Sequence, residues 1–204
     1  MNGYSGAAST WRLATVGTIA GVAWAASLRS YMWQIGTDHD VTWAGTFYAI
    51  LASGGTAGAL LGWAEARRRA GRTARLRWFA LAPFTFAVFT MSLPGQLAAL
   101  FQNGLGGGAI GVPMLAVLGG FALGTTGPRW ARIVSGVLAV AFTAGIVATV
   151  PTVGGYLLAL NTPRGLWTAI LVGTLMILAA LASSIPFRPL PAPPDPPAAS
   201  ATGG

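Results

Sequence analysis

The chain has 204 residues, of which only 8% are charged and 54% are hydrophobic. Charged residues make up ~25% of an average globular domain, so this chain does not carry enough charge for a water-soluble surface. The composition excludes a soluble enzyme, a nucleic-acid-binding domain and a disordered chain. It predicts an all-α, polytopic membrane helix bundle, because apolar residues run on without the alternation that a barrel requires.

The basic residues and the missing residue types narrow the chemistry further. All twelve basic residues are arginines, the formal net charge is +8, and there is no cysteine and one histidine. Because the arginines lie between apolar runs, the expected anionic partner is a phospholipid membrane and not nucleic acid. Cysteine-based metal or Fe–S sites and bis-histidine haem are excluded, and we expect no cofactor. The lysine-free, Ala/Gly/Arg-rich composition is typical of a high-GC bacterium and predicts a cytoplasmic (inner) membrane location.

Long uncharged runs predict the spans, since a spanning helix needs about 20 apolar residues. The 51-residue run from Trp78 to Pro128 must hold two of them, with turn signals at Pro94-Gly95 and at 103–108. We predict six transmembrane helices, near 12–34, 42–64, 78–100, 109–127, 131–151 and 165–185.

The first span also has features of a cleavable signal peptide, namely Arg12, an apolar stretch and the trio Ala23-Trp24-Ala25. A tryptophan inside the cleavage motif and the continuing apolar stretch favour a retained span.

The loop after the first span holds the densest polar cluster of the chain. Arg29 and Gln34 precede it, and Asp38, His39 and Asp40 lie in it. One interpretation is structural: Asp40 caps the second span and Arg29 snorkels to the interface. The other is a small polar site at the outer face, where Arg29 binds an anionic group and the loop binds a cation or moves a proton. We expect no metal site, because adjacent residues of one loop rarely converge on an ion and no second histidine exists.

The segment around this loop resembles uncharacterised multi-pass integral membrane proteins of actinobacteria. The resemblance covers about 20 residues, from Arg29-Ser30-Tyr31-Met32-Trp33 through Asp38 to Gly45-Thr46. It implies a membrane bundle and points to the same outer loop, and it implies no particular activity.

Small residues recur at four-residue spacing in three spans and predict helix packing faces. These residues are Gly17, Gly21 and Ala25 in the first span, Gly54, Gly58 and Gly62 in the second, and Ala116, Gly120 and Gly124 in the fourth. They can serve packing within the bundle or contact with a second copy or another membrane protein.

The segment after the second span predicts the orientation. It carries six arginines, and such a loop stays cytoplasmic; they are Arg67, Arg68, Arg69, Arg72, Arg75 and Arg77. Alternation from there places both ends of the chain inside and leaves only Arg29 and Arg164 outside. The same arginines are candidates for anionic-lipid contact.

The last third of the chain contains two irregular segments. Pro151 and Gly154-Gly155 are expected to break the fifth span, so that 151–163 forms a re-entrant or interfacial piece with Tyr156 at headgroup level. Residues 186–204 are rich in proline and predict a disordered, extended cytoplasmic tail.

No span carries an acidic residue, lysine or histidine at mid-depth, and no nucleophile has a base beside it. The sequence therefore favours a non-enzymatic bundle that interacts with lipid or a protein partner. The alternative is a small permease or exporter built from two inverted three-helix halves, with hinges at Pro94, Pro113 and Pro151. A third interpretation is an enzyme that acts on lipid headgroups at the outer loop.

Overall fold

The computed structural model describes residues 3–36, 40–72, 74–103 and 107–190. Within these ranges the chain is helical and contains no strand, which confirms the all-α class. The helices are α1 (Gly3–Ile35), α2 (Trp43–Arg69), α3 (Leu76–Met91), α4 (Gln96–Asn103), α5 (Gly107–Leu123), α6 (Arg129–Gly154) and α7 (Pro163–Ser183).

Three of these segments are long and apolar enough to cross a membrane. They are Trp43–Arg69, Arg129–Leu158 and Pro163–Ser183, where the second includes a 3₁₀ turn over Gly155–Leu158 after α6. Leu76–Met91 and Gly108–Leu123 are shorter apolar helical segments.

Several local features differ from the prediction. α2 begins as a π-helix over Trp43–Ala52 and becomes α-helical at Ser53. The expected third span is interrupted after Met91, and helix resumes at Gln96 after Gly95, whose φ is +80°. Pro151 does not break the fifth span, since α6 continues through it and ends at Gly154 before Gly155 at φ +67°.

The predicted tail also starts too early at 186. Ile185–Phe187 form a 3₁₀ turn in which Pro186 is buried, and the amide of Thr125 donates to the carbonyl of Phe187 over 3.0 Å. The segment that follows α7 therefore packs on the bundle through this turn. Residues 191–204 of the predicted tail lie outside the described residues.

The glycines place α1 directly against α2. A Cβ on Gly17 would clash with the carbonyl oxygen of Gly58, and a Cβ on Gly21 would clash with that of Gly54. Gly62 lies in the same way against the carbonyl of Leu13. The two backbones are thus in contact along a face that only glycine permits.

Two further glycines fit the end of α5 to the chain end. Gly120 lies against the backbone of Ser183, and Gly124 lies against Phe187. The predicted packing glycines therefore all lie at contacts between helices of one chain.

We call the end of the bundle that carries Arg67–Arg77 the arginine end, and the other the opposite end. The main apolar core lies toward the opposite end. There Leu28 and Tyr31 of α1 pack with Leu115 of α5 and with Val172 and Met176 of α7, and all five side chains are buried.

Candidate functional site

The predicted outer cluster is only partly described. Arg29 Nη2 donates to the backbone carbonyl of Asp40 over 2.6 Å, and its Nε donates to Thr46 Oγ1 over 3.3 Å. Its guanidinium also lies 5.6 Å from the ring centroid of Trp33. Asp38 and His39 lie outside the described residues. Arg29 is thus held by the backbone and side chains around it, as expected of an arginine near a membrane edge.

Gln34 lies with Arg29 in one pocket at the opposite end of the bundle and also links two helices. The Oε1 atom of Gln34 accepts a hydrogen bond from the buried Thr168 over 2.9 Å, which links α1 to α7. The prediction that Asp40 caps α2 is wrong: Thr42 is the N-cap, and its Oγ1 accepts from the Gly45 amide over 3.0 Å. Thr42 lies directly before the first helical residue, which is the position from which a side chain caps the free amides.

A different feature, which the sequence did not indicate, is a cleft of about 420 Å³ between the α1–α2 pair and α5 and α7. The cleft ends at Trp24 on the side of the opposite end, where Trp24 Nε1 donates to the carbonyl of Leu175 over 2.9 Å. From this contact toward the arginine end, α1 and α7 enclose the cleft between them. Its volume lies within the range of small-molecule sites, ~300–1,000 Å³.

The cleft has a buried floor and an open side. Ser53 of α2, Leu61 of α2 and Ala116 of α5 form the floor, and all are 7% exposed or less. Val16 of α1 and Leu178 of α7 also line the cleft, and they are 63% and 55% exposed. The opening therefore lies on the side of the bundle, between α1 and α7.

The lining is almost wholly apolar. Besides Trp24, its polar side chains are Ser53, Ser183 and Glu65. The Ser53 hydroxyl donates to the carbonyl oxygens of Ala49 and Ile50 at 2.6 and 2.9 Å, so it serves the π-to-α junction of its own helix. The cleft thus offers dispersion contacts along its length and charge only where Glu65 lies.

The charged end of the cleft is an ion cluster on the last turns of α2. Arg68 binds Glu65 in a bidentate pair, with Nε on Oε2 and Nη2 on Oε1, both at 2.8 Å. Arg69 Nε donates to the same Oε1 at 2.7 Å. The spacing of three and four residues places these side chains on one helical face, and arginines are favourable at a helix C-terminus.

Arg68 also joins this cluster to the segment that follows α7. Its Nη1 donates to the carbonyl of Pro189 over 2.8 Å, so all three of its guanidinium nitrogens are engaged. Arg188 Nε in turn donates to Ser184 Oγ over 3.0 Å. The 3₁₀ turn over Ile185–Phe187 therefore lies across the arginine end, and Ile185 lines the cleft there.

The cleft lining includes none of the six predicted arginines, and Arg68 and Arg69 lie beside it through their bonds to Glu65. Arg67 Nη2 donates to the carbonyl of Ala74 over 2.8 Å, which closes the loop after α2. Arg72, Arg75 and Arg77 are exposed, and Arg75 is left-handed at φ +61° directly before α3. The predicted arginine group thus divides into Arg68 and Arg69, which bind Glu65 beside the cleft, and the others, which lie at the end of α2 (Arg67), in the loop (Arg72 and Arg75) and in the first turn of α3 (Arg77).

Comparisons of the chain with protein-family models, with curated proteins and with solved structures find no match. The inference about function therefore comes from the geometry alone.

Proposed function

We propose that this protein is a non-enzymatic integral membrane protein that binds the hydrocarbon chain of a lipid in the cleft between α1 and α7. The observation that carries the proposal is the apolar lining of the cleft combined with its opening on the side of the bundle. A lateral opening at the level of apolar helices faces the acyl chains of a bilayer. A lipid chain can therefore enter without crossing a polar surface.

Dispersion contacts between the cleft lining and a hydrocarbon chain explain why a lipid would bind there. Atoms that line an empty space lose dispersion partners, and in a membrane such contacts are a main source of helix packing energy. A hydrocarbon chain in the cleft restores them for Val16, Ala20 and Leu178. The same lining gives a polar solute no hydrogen-bond partner along most of its length, which favours lipid binding over the alternative of a small permease.

The proposed topology has six spans, with both ends of the chain and the arginine end on the cytoplasmic side of a bacterial inner membrane. Ten of the twelve arginines then lie inside. Tryptophan placement supports a spanning bundle with an interface at each end, because seven of the eight tryptophans are exposed and lie toward the ends of helices, as in an interfacial belt. They are Trp11, Trp63, Trp78 and Trp130 at the arginine end and Trp33, Trp43 and Trp167 at the opposite end.

The remaining expectations fit within this proposal. The loop arginines contact anionic headgroups of the cytoplasmic leaflet, and the outer loop of Arg29 anchors α1 at the opposite interface. The resemblance of the Arg29–Thr46 segment supports the proposal that the protein is one of the uncharacterised multi-pass membrane proteins of actinobacteria. Contact with a second copy or another membrane protein would use the exposed outer faces, because the packing glycines are occupied within the chain.

A substitution that fills the cleft with a bulky side chain tests the proposal. Ala179 lines it and is partly buried, so Ala179→Phe should place a ring where the lipid chain lies. The matched control is Ala141→Phe, on the exposed surface of α6. Native mass spectrometry of protein extracted in mild detergent should show a retained lipid on the wild type and on Ala141→Phe, and much less on Ala179→Phe. Equal lipid retention by the two variants would refute the proposal.

A further inference from the structure

The charged end of the cleft specifies what headgroup its occupant carries. Among the residues that line the cleft in the described part of the chain, Glu65 alone is charged, and its side chain is 12% exposed. Both of its oxygens are engaged, since Oε1 accepts from Arg68 and Arg69 and Oε2 accepts from Arg68. A cationic headgroup would therefore meet a carboxylate that two guanidinium groups have already neutralised.

The charge of the cluster as a whole favours an anion. One carboxylate faces two guanidinium groups, so Glu65, Arg68 and Arg69 together carry a net positive charge. An anionic headgroup at this end of the cleft is attracted to this charge, and solvent screens the part of it that Arg69 exposes. A neutral headgroup gains nothing from it, and a cationic headgroup is repelled.

The two arginines differ in how far they are committed. Arg68 is 15% exposed and uses its three nitrogens on Glu65 and on the Pro189 carbonyl. Arg69 is 59% exposed and donates to Glu65 through Nε alone. A guanidinium carries five N–H donors, so Arg69 has donors left for a further acceptor, whereas Arg68 is a positioning residue that fixes Glu65 and the chain end.

We propose that the occupant of the cleft is an amphiphile with an anionic headgroup, a phosphate or a carboxylate, and that Arg69 binds this headgroup while one hydrocarbon chain lies in the cleft. The inference rests on the proposed function, because the chain must occupy the cleft for the headgroup to reach Arg69. A planar guanidinium fork matches the oxygens of either headgroup. In the proposed topology the headgroup lies in the cytoplasmic leaflet.

The experiment compares probes with one chain and different headgroups. The protein is placed in nanodiscs of zwitterionic phosphatidylcholine. It is then irradiated in the presence of dodecyl phosphate, dodecanol or dodecyltrimethylammonium, each of which carries a diazirine on its hydrocarbon chain. Peptide mass spectrometry then measures labelling of the cleft segment 178–183 relative to the exposed surface of α6. The relative labelling by dodecyl phosphate should exceed that by dodecanol by on the order of tenfold, the strength of a hydrogen bond to a charged group, and dodecyltrimethylammonium should label the cleft least.

Variants locate the headgroup. R69Q should reduce the preference for dodecyl phosphate over dodecanol to near unity, R69K should keep part of it, and R129Q, at the exposed first residue of α6, should leave it unchanged. Inorganic phosphate in excess should not displace the probe, since the chain supplies much of the binding. Displacement by inorganic phosphate would mean a site for the free ion and would overturn the proposal.

The outcomes separate this inference from the proposed function. Equal labelling of the cleft by all three probes would leave lipid binding intact and remove the headgroup assignment. Loss of preference in R129Q as large as in R69Q would also overturn it, because general surface charge would then explain the effect. Absence of cleft labelling by every probe would refute the proposed function itself.

Discussion

Trp24 Nε1 donates to the carbonyl oxygen of Leu175 over 2.9 Å, although the two residues are 151 positions apart in the chain. The bond joins the middle of α1 to the middle of α7. On one side of it lies the apolar core, and on the other side lies the cleft. This contact therefore sets the depth at which packing between the two helices stops.

Trp24→Phe tests that contact. The phenyl ring keeps most of the apolar surface and loses the hydrogen bond, so we expect a destabilisation of about 0.5–1.5 kcal/mol, the usual range for an interhelical hydrogen bond. Unfolding in mixed micelles with increasing sodium dodecyl sulfate measures it. Trp130→Phe, at a ring that is 70% exposed, should change stability little. Equal effects of the two substitutions would argue that the bond contributes nothing.

Gly58→Ala tests the contact between α1 and α2. The added Cβ would clash with the carbonyl oxygen of Gly17. The clash can be relieved only by moving one backbone, which separates the two helices. We expect a loss of stability of about 1–3 kcal/mol, as for overpacked cores. The control is Gly145→Ala on α6, where a Cβ would meet nothing within 4 Å. This control should be neutral or slightly stabilising, because alanine is the better helix former.

Arg29→Ala tests whether the outer arginine is structural. Removal of the guanidinium leaves the Asp40 carbonyl and the Thr46 hydroxyl without their donor, so the start of α2 should become more mobile. Hydrogen exchange of the peptide that covers 40–52 should increase, while Arg164→Ala, at an exposed position in the first turn of α7, should leave it unchanged. Unchanged exchange in Arg29→Ala would reopen the interpretation of Arg29 as part of a ligand site.

The proposed topology can be tested without background labelling, because the chain has no cysteine. Arg72→Cys lies at the arginine end and Asn161→Cys lies before α7 at the opposite end. In intact cells a membrane-impermeant maleimide should label Asn161→Cys and spare Arg72→Cys until the membrane is permeabilised. The reverse pattern would invert the orientation, and labelling of both in intact cells would contradict the topology.

The helices and their close contacts were predictable because both depend on local patterns. Continuous apolar runs predicted an all-α protein, and four-residue spacing placed Gly17 and Gly58 on helical faces. What spacing did not indicate was the partner of each face. The structure pairs α1 with α2 through these glycines and leaves none of the predicted packing glycines on an outer surface.

The cleft could not be predicted in the same way. It depends on where α1 and α7 separate, and the contact between Trp24 and Leu175 has no signature in either segment. The ion cluster had a signal in the spacing of Glu65, Arg68 and Arg69, yet a run of arginines after a span is equally a topology signal. The cap at Thr42 was not predicted, because Asp40, two residues earlier, is also a residue type that is favoured at N-caps.

The hydrogen bond from Arg68 to Pro189 has a mechanical consequence. Since the same guanidinium holds Glu65 of α2, a pull on the chain beyond residue 190 is transmitted to α2 as well as to α7. Load applied there would be shared by two helices that are far apart in sequence. A pulling force applied at that point would thus reach the ion cluster at the charged end of the cleft through Arg68.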